Sequence, residues 1–353
     1  MLNAISTKYL QEFCAATLEA ANAPQGTQSF NLTPPMETKL RQAIMQSNAF
    51  MGMISLLPVQ QIKGQVIDVG DDGLSTGRSN TGRFSVEVGQ SGNTYELTKT
   101  DSGVHILWEI MTQWANSGSK GQWLAMMKNA ISRRFGLDML RIGFNGTSIA
   151  VKTNPVVNPL GQDVNKGWLT IVKEKRPSQV LSFALLDPTG AAEDSYKNLD
   201  SLAQDLINTT IAPEHRQDPD LVVLVGSDLV AAEQHRLLES ADKPTEHKAA
   251  QSLAKTIAGK KAYTPPFFPA DQLWVTNTKN LQILTQEGTQ WRTQKNDEDE
   301  LRFKQNHIRM EGYAVGNLKK FAAIESVTVV ESEPKVLGGE DGESISQTAQ
   351  TTA

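Results

Sequence analysis

Apolar positions that recur every three or four residues mark the helices of this chain, and alternating or continuous apolar runs mark its strands. Leu2, Ile5, Tyr9, Phe13 and Ala16 fall on one face over residues 1–22, which predicts an amphipathic helix ending before Pro24. The polar break Ala23-Pro24-Gln25-Gly26-Thr27-Gln28-Ser29 then makes the first thirty residues a separable module, either a terminal docking helix or a removable segment. A second helix is expected from Met36 to about Phe50, with Thr33-Pro34-Pro35 as its lead-in. Ile54 to Val69 has extended character, and Pro58 and Gly64 point to an edge or bent strand.

The longest periodic segment follows Ser119. Trp123, Met126, Met127, Ala130, Ile131, Phe135, Met139 and Ile142 keep helical spacing for about six turns at 3.6 residues each. Ser119 is the expected N-cap, Arg133 and Arg134 lie toward the favourable C-terminal half, and Gly143 or Gly146 supplies the stop. Irregularity is expected at Gly136 and around Asn116–Gly121. Ahead of this helix, residues 64–103 contain eight glycines in forty positions. Phe84-Ser85-Val86-Glu87-Val88 alternates between them and Thr94-Tyr95-Glu96-Leu97 does so more weakly, the pattern of a two-stranded ribbon. Such a hairpin has too little core to stand alone, so it is either braced by a neighbouring molecule or a loose surface loop.

After a loop-rich stretch, one α/β unit is expected from near Ser195. It comprises a helix over Leu199–Ile207, a buried strand Leu221–Val225, and helices over Ser227–Leu238 and Ala249–Ile257. Pro265, Pro266 and Pro269 mark a crossing, followed by strands at Leu273–Thr276 and Leu281–Leu284. Asn296–Glu300 reads as a solvated turn, Leu301–Met310 as a long strand with one wet face, and Phe321–Val330 as a last strand. Beyond Glu331 the composition is that of a disordered tail.

At 353 residues the chain exceeds the usual growth limit of one core, which favours two domains or one domain with long excursions. Its 39% hydrophobic and 21% charged content is that of a folded globular protein. A net charge of −5 gives no overall basic footprint for nucleic acid, and the single cysteine, Cys14, fits a reducing cytoplasm. The first residues lack a secretory pattern, and the longest strongly apolar run, Leu221–Val225, is far too short to span a bilayer, so no membrane association is expected.

The candidate chemistry is weak throughout. His105, His215, His235, His247 and His307 are scattered, which does not support a zinc site. Asp68-Val69-Gly70-Asp71-Asp72-Gly73 has glycine where a calcium loop needs a ligand. Val225-Gly226-Ser227-Asp228 lacks the second glycine of a nucleophile elbow, leaving Ser227 as an expected N-cap. Ser117-Gly118-Ser119-Lys120-Gly121 is not in phosphate-loop order, and Asp218-Pro219-Asp220 reads as a turn before a strand. No catalytic, cofactor-binding or metal-binding residue is expected, and no cofactor. Trp123, Met126, Met127 and Met139 lie on the helical stripe and belong to its core face.

Arg141-Ile142-Gly143-Phe144-Asn145-Gly146 and Asn158-Pro159-Leu160-Gly161-Gln162-Asp163-Val164-Asn165-Lys166-Gly167-Trp168-Leu169 carry a resemblance. Further matches follow in order: Leu57-Pro58-Val59 with Lys63-Gly64, Gln217-Asp218-Pro219-Asp220 running into Leu221-Val222-Val223-Leu224-Val225-Gly226, and Phe268-Pro269-Ala270-Asp271. The chain resembles the Peduovirus-type major capsid proteins of tailed phages from about residue 30 to 328, departing in the tails and at an insertion around Asn116–Gly121.

The resemblance implies a mixed α+β fold of the Hong Kong 97 capsid type. Its expected parts are a removable segment (1–30), an N-arm (31–60), an extended β-hairpin loop (61–105), a peripheral domain (106–194 and 296–330) with a spine helix at about 119–143, an axial domain (195–295) and a disordered tail (331–353). It implies a structural protein that assembles with itself into pentamers and hexamers of an icosahedral head. The implied partners are an internal scaffolding protein with a maturation protease, a portal protein, and packaged double-stranded DNA contacted without sequence specificity. Maturation cleavage is expected near Phe30-Asn31. A soluble α/β enzyme built on residues 195–295 and a phage tube or scaffold component are the alternatives.

Overall fold

In a computed structural model, which describes residues 2–66, 76–78, 83, 93–239 and 256–330, two sheets share a long helix and its following loop as a common wall. In chain order the elements are α1 (Ala4–Ala20), β1 (Ser29–Asn31), α2 (Pro34–Gln46), β2 (Ser55–Val59), β3 (Lys63–Gln65), β4 (Thr94–Glu96) and β5 (Thr98–Leu107). Next come α3 (Trp108–Ser117), α4 (Lys120–Asn145), α5 (Trp168–Lys175), β6 (Val180–Leu181), β7 (Ala184–Leu186), β8 (Ser195–Tyr196), α6 (Leu199–Thr210), β9 (Leu221–Val225) and α7 (Ser227–Glu239). The last are β10 (Thr256–Ile257), β11 (Lys260–Tyr263), β12 (Leu273–Asn277), β13 (Leu281–Gln286), β14 (Trp291–Asp297), β15 (Arg302–Val315), β16 (Ala322–Ile324) and β17 (Val327–Val329).

The first sheet is organised by the 14-residue β15. One edge pairs with β5, and the other pairs first with β14 and then with β13. The outer flank holds β1 on β14 and β2 on β13. Pro58 is tolerated in β2 because that strand pairs on one side only. The second sheet runs β10-β11-β9-β12-β16-β6, with a small sheet β17-β7-β8 beside it. Every residue of β9 is buried, since one face meets α6 and the other meets the core shared with α4.

The spine expected after Ser119 is α4, 26 residues and therefore about 39 Å long. Ser119 closes a capping box: Gln122 N donates to its hydroxyl and Ser119 N donates to Gln122 Oε1 at 2.9 Å. Gly118 separates α4 from α3, so the insertion around Asn116–Gly121 is a helix junction. Gly136 does not interrupt the helix. A Cβ there would lie 2.6 Å from Ser47 Oγ, so the glycine permits close approach to the end of α2. At the other end, a Cβ on Gly143 would lie 2.5 Å from the Trp168 ring and one on Gly146 2.1 Å from Asn165 O. The Gly143-Phe144-Asn145-Gly146 stop is thus a packing requirement, which lets α5 cross tightly over the spine's end.

Several sequence expectations are corrected. The buried residues of α1 are Ser6, Leu10, Phe13 and Leu18; Ile5 is 50% exposed and Ala16 is exposed. The face is rotated because Leu10 and Phe13 enter the cluster of Met111, Trp123, Met127 and Phe303. α2 starts at Pro34, with proline in its first turn, and stops at Gln46. β5, α3 and α5 arise where no element is assigned from sequence. Thr256–Ile257, expected to end a helix, is strand β10 paired with β11. Ser227 lies inside α7 and its hydroxyl donates to Asp228 Oδ1 at 3.1 Å, so it is not an N-cap. β14 extends through Asn296 and Asp297, which shortens the expected turn. The single last strand is two short ones, which join the second sheet and its small neighbour rather than β15. The expected helix over 249–255, the strand Phe84–Val88, the acidic loop 68–73 and the tail from 331 lie outside the described residues.

Candidate assembly elements

The loop after α4 is tied down by its own backbone. Thr147 N and Ser148 N donate to Gln162 O at 2.8 and 3.0 Å, and Ala150 N donates to Asp163 O at 2.9 Å. Asp163 Oδ2 accepts from Asn154 N at 2.7 Å, and Asn154 Oδ1 accepts from Val156 N and Val157 N. On this framework Val151 is fully exposed, Val156 is 89% exposed and Val157 70%. These aliphatic side chains lie outside the subunit's core.

Strands β3 and β4, which flank the span expected to form the extended loop, pair as a two-stranded antiparallel ladder in which Lys63 meets Glu96. Asn93, buried at the return point, donates to Val315 O at 2.6 Å and accepts from Lys175 Nζ at 2.7 Å. Lys175 also donates to Thr94 O, and burial pulls its pKa down. The β3–β4 ladder is thereby fastened to β15 and to the end of α5. Between the ladder and α5 lies a groove of about 570 Å³, whose lining includes Tyr95 and the exposed Ile149 over the buried Ile171 and Tyr313. Its rim carries the ion pairs Lys63–Glu96 and Lys166–Glu174.

The face of β15 beneath the spine is polar. Phe303, Gln305, His307, Arg309, Glu311 and Tyr313 alternate inward, and all are buried. Arg309 Nε donates to Glu311 Oε2 at 2.5 Å, and Arg309 NH1 donates to Ser102 Oγ at 2.8 Å. Tyr313 donates to Met139 O on α4 at 3.0 Å, and burial pushes its pKa well above the ordinary value. Arg292, desolvated beside Gln305, is pulled down to about 10. His307 stacks near Phe135, with Nε2 3.1 Å from Gln290 Oε1. Burial first, then the Arg309 and Arg292 charges, hold its pKa well below the usual 6.5.

A neutral buried histidine stabilises the fold fully above its unfolded pKa, and that contribution fades as pH falls through about 6.5 toward the lower folded value. Lowering pH from about 7.5 to about 5.5 is expected to cost about 1 kcal/mol through His307, with one pKa unit worth about 1.4 kcal/mol. Thermal melts of wild type and His307→Gln at both pH values check this. An equal shift in the two proteins contradicts it. The carboxyls of Glu37 and Asp138, raised chiefly by desolvation, act in the opposite direction: their ionisation opposes folding, so protonation in acid relieves them.

The residues expected at the maturation cut stand together in β1. Phe30 is buried with Leu18, Ala21 and Leu32, while Asn31 is exposed, and the strand pairs on one side with β14. The extended edge backbone is the conformation a protease binds, and the preceding residues 24–26 are exposed. α1 covers Trp123, Met111 and Met127, with the Phe13 and Trp123 rings 6.4 Å apart.

The other sequence candidates stay apart. His105 is exposed, His215 and His307 are buried in different sheets' surroundings, and His247 lies outside the described residues. Asp218 and Asp220 form the turn before β9, Asp220 N donating to Asp218 Oδ1 at 2.9 Å. Among the described residues no group of three metal-ligating side chains occurs, and no helix is long and apolar enough to cross a membrane. The burial-raised Cys14 thiol, at about 11, is unreactive. The polar face of β15 and the Asp163-anchored loop escaped the sequence reading. The repeated Asn and Gly residues of 145–167 were the available signal.

The chain, with its long helix shared by two cores, is a shell-building subunit of the phage capsid class, as its relatives show. The sequence profile described as "Phage major capsid protein, P2 family" matches residues 8–327, and the chain belongs to that family. It is similar to the capsid proteins of Escherichia phage P2, 28% identical over 284 residues, 76% of this chain and 78% of the relative. It is also similar to the major capsid protein of Serratia phage KSP20, 26% identical over 320 residues, 86% of this chain and 90% of the relative. Among solved structures it matches a chain of the satellite phage P4 procapsid that includes the size determination protein. That match has a TM-score of 0.67 and 25% identity, covering 83% of this chain and 100% of that one. The chain is therefore a structural protein of the virion shell, and the enzyme, tube and scaffold readings are set aside.

Proposed function

We propose that this major capsid protein closes an icosahedral head of pentamers and hexamers around double-stranded DNA, in which each part of the subunit has a separate task. Residues 31–60 act as the arm and 61–105 as the extended loop braced on a neighbouring copy, while α4 is the spine of a peripheral domain. The axial domain is built on β9, α6 and α7, and the sheet pairing supports drawing its boundary before β13, with β16 and β17 returning to it. The observation that carries this reading is the β3–β4 ladder, held at Asn93 by both β15 and Lys175, so that the loop leaves the body at a fixed point. An internal scaffolding protein and its protease, and a portal protein, are the proposed assembly partners. DNA contact is weak and made through backbone phosphates.

Within this reading, cleavage falls at Phe30–Asn31 once the one-sided pairing of β1 opens. Loss of residues 1–30 removes α1 and uncovers the Trp123 face. Intact-mass measurement of the capsid protein from mature particles checks the cut: a chain beginning at Asn31 is expected, and retention of the N-terminal residues contradicts it.

A further inference from the structure

We propose that the solvent face of the α2–α4 layer is the surface on which packaged double-stranded DNA rests, its cations meeting backbone phosphates without reading bases; this deepens the shell reading and rests on it. The chain as a whole carries a net charge of −5, yet α4 has four cations from Lys120 to Arg134 and no acid before Asp138. Lys128 and Arg133 are exposed, and Arg134 keeps 63% of its side chain in water. Beside them α2 adds the exposed Lys39, while its one carboxylate, Glu37, is buried. Among the described residues no hydrogen bond or ion pair engages Lys39, Lys128 or Arg133, and Arg134 is held only loosely, 3.8 Å from Asp138.

The helix turns these cations away from the first sheet. Phe135 lies against His307 and Met139 O accepts from Tyr313, which leaves Arg133 on the arc facing away from β15. The other side of that sheet is balanced, since Arg302 and Lys304 on the outward face of β15 are held by Asp297 and Glu300. A subunit of a closed shell presents one side to the genome, and unbalanced positive charge suits the side that meets a polyanion. Lys120 to Arg134 spans about 21 Å at 1.5 Å per residue, a length over which duplex DNA presents about twelve charges. Each copy contributes few contacts, and repetition over the shell adds them. α1 tempers the layer at its start, where Glu12 pairs with Lys120, and the proposed cleavage removes that carboxylate.

The test measures binding of an arbitrary DNA duplex of about 20 base pairs to the unassembled full-length chain across a salt series. Lys128→Gln with Arg133→Gln and Arg134→Gln is expected to lower the slope of log affinity against log salt by about 2 to 3, each phosphate contact contributing about 0.9. The thermal midpoint is expected to stay unchanged, because all three side chains are exposed. Lys99→Gln with Lys295→Gln, on the outward side of the sheet, is expected to keep the wild-type slope. An unchanged slope in the triple variant, a comparable loss in the control, or no binding by wild type at about 20 mM salt overturns the proposal. Lost shell yield with unchanged DNA binding assigns the layer to an acidic protein instead, and overturns it too. In shells assembled with the scaffolding protein, electron cryo-microscopy is expected to show Arg133 on the lumen side. Closed shells with Arg133 outside overturn the proposal and leave the shell reading standing, whereas failure of wild type to form shells defeats the shell reading itself.

Discussion

Glu311→Ala is expected to lose about 3–5 kcal/mol of stability, because it strands a buried guanidinium. Arg309 and Glu311 are 2% and 0% exposed, and the carboxylate lies 3.3 Å from the Tyr313 hydroxyl. Denaturant unfolding of the unassembled subunit measures the loss. The pair itself is worth much less than the penalty for breaking it, since both charges had to leave water. Replacing both partners together, as Arg309→Met with Glu311→Leu, is accordingly expected to recover most of the loss. A wild-type midpoint for Glu311→Ala contradicts the buried pairing.

Trp168→Ala is the second large effect, about 3–5 kcal/mol. Trp168 is fully buried, its ring centroid 5.1 Å from that of Phe144 and 5.6 Å from that of Tyr313, and Nε1 donates to Gln282 O at 3.0 Å. It joins the spine's end, α5 and β13, so truncation opens a cavity where three elements meet and leaves a strand carbonyl without its donor. Thermal unfolding checks the loss. Filling by Trp168→Phe is expected to recover the packing but not the hydrogen bond, giving an intermediate midpoint; equal midpoints for the alanine and phenylalanine variants contradict this account.

The same residues show what could be read from sequence. α4 was legible because its apolar stripe is long and Ser119 with Gln122 supplies both halves of a capping box. β9 was legible because a five-residue aliphatic run rich in valine, bounded by Pro219 and Gly226, fits a strand buried on both faces better than a helix. The motif from Gly143 to Trp168 identified the family, although its physical reason, a glycine under an indole ring, emerges only from the packing. β5 was not legible: Lys99, Asp101, Gly103 and His105 hide its pattern, and pairing with β15 makes it a strand. α3 buries Met111 and Ala115 alone of its ten residues, and α5 has eight residues, too short for a periodic signal.

The long strand with one wet face was legible at β15, but which of its faces is buried was not. Hydropathy directs Ile308 and Met310 inward, whereas the register set by β5 and β14 turns His307, Arg309 and Glu311 toward the spine. A one-residue phase decides which face is buried, and tertiary pairing overrode the local pattern. For the expected cleavage position, the sequence supplied the polar break. The structure adds that Phe30 is half of a buried contact with Leu18 and Leu32, so a cut there would separate α1 from the body.

The central claim, that this chain is the building block of a closed head, is tested most directly by electron cryo-microscopy of particles assembled from the full-length protein with its scaffold. The account predicts closed icosahedral shells of rings of five and six copies, with residues 61–105 of each subunit braced on a neighbouring copy. Open tubes or small monodisperse oligomers would contradict it.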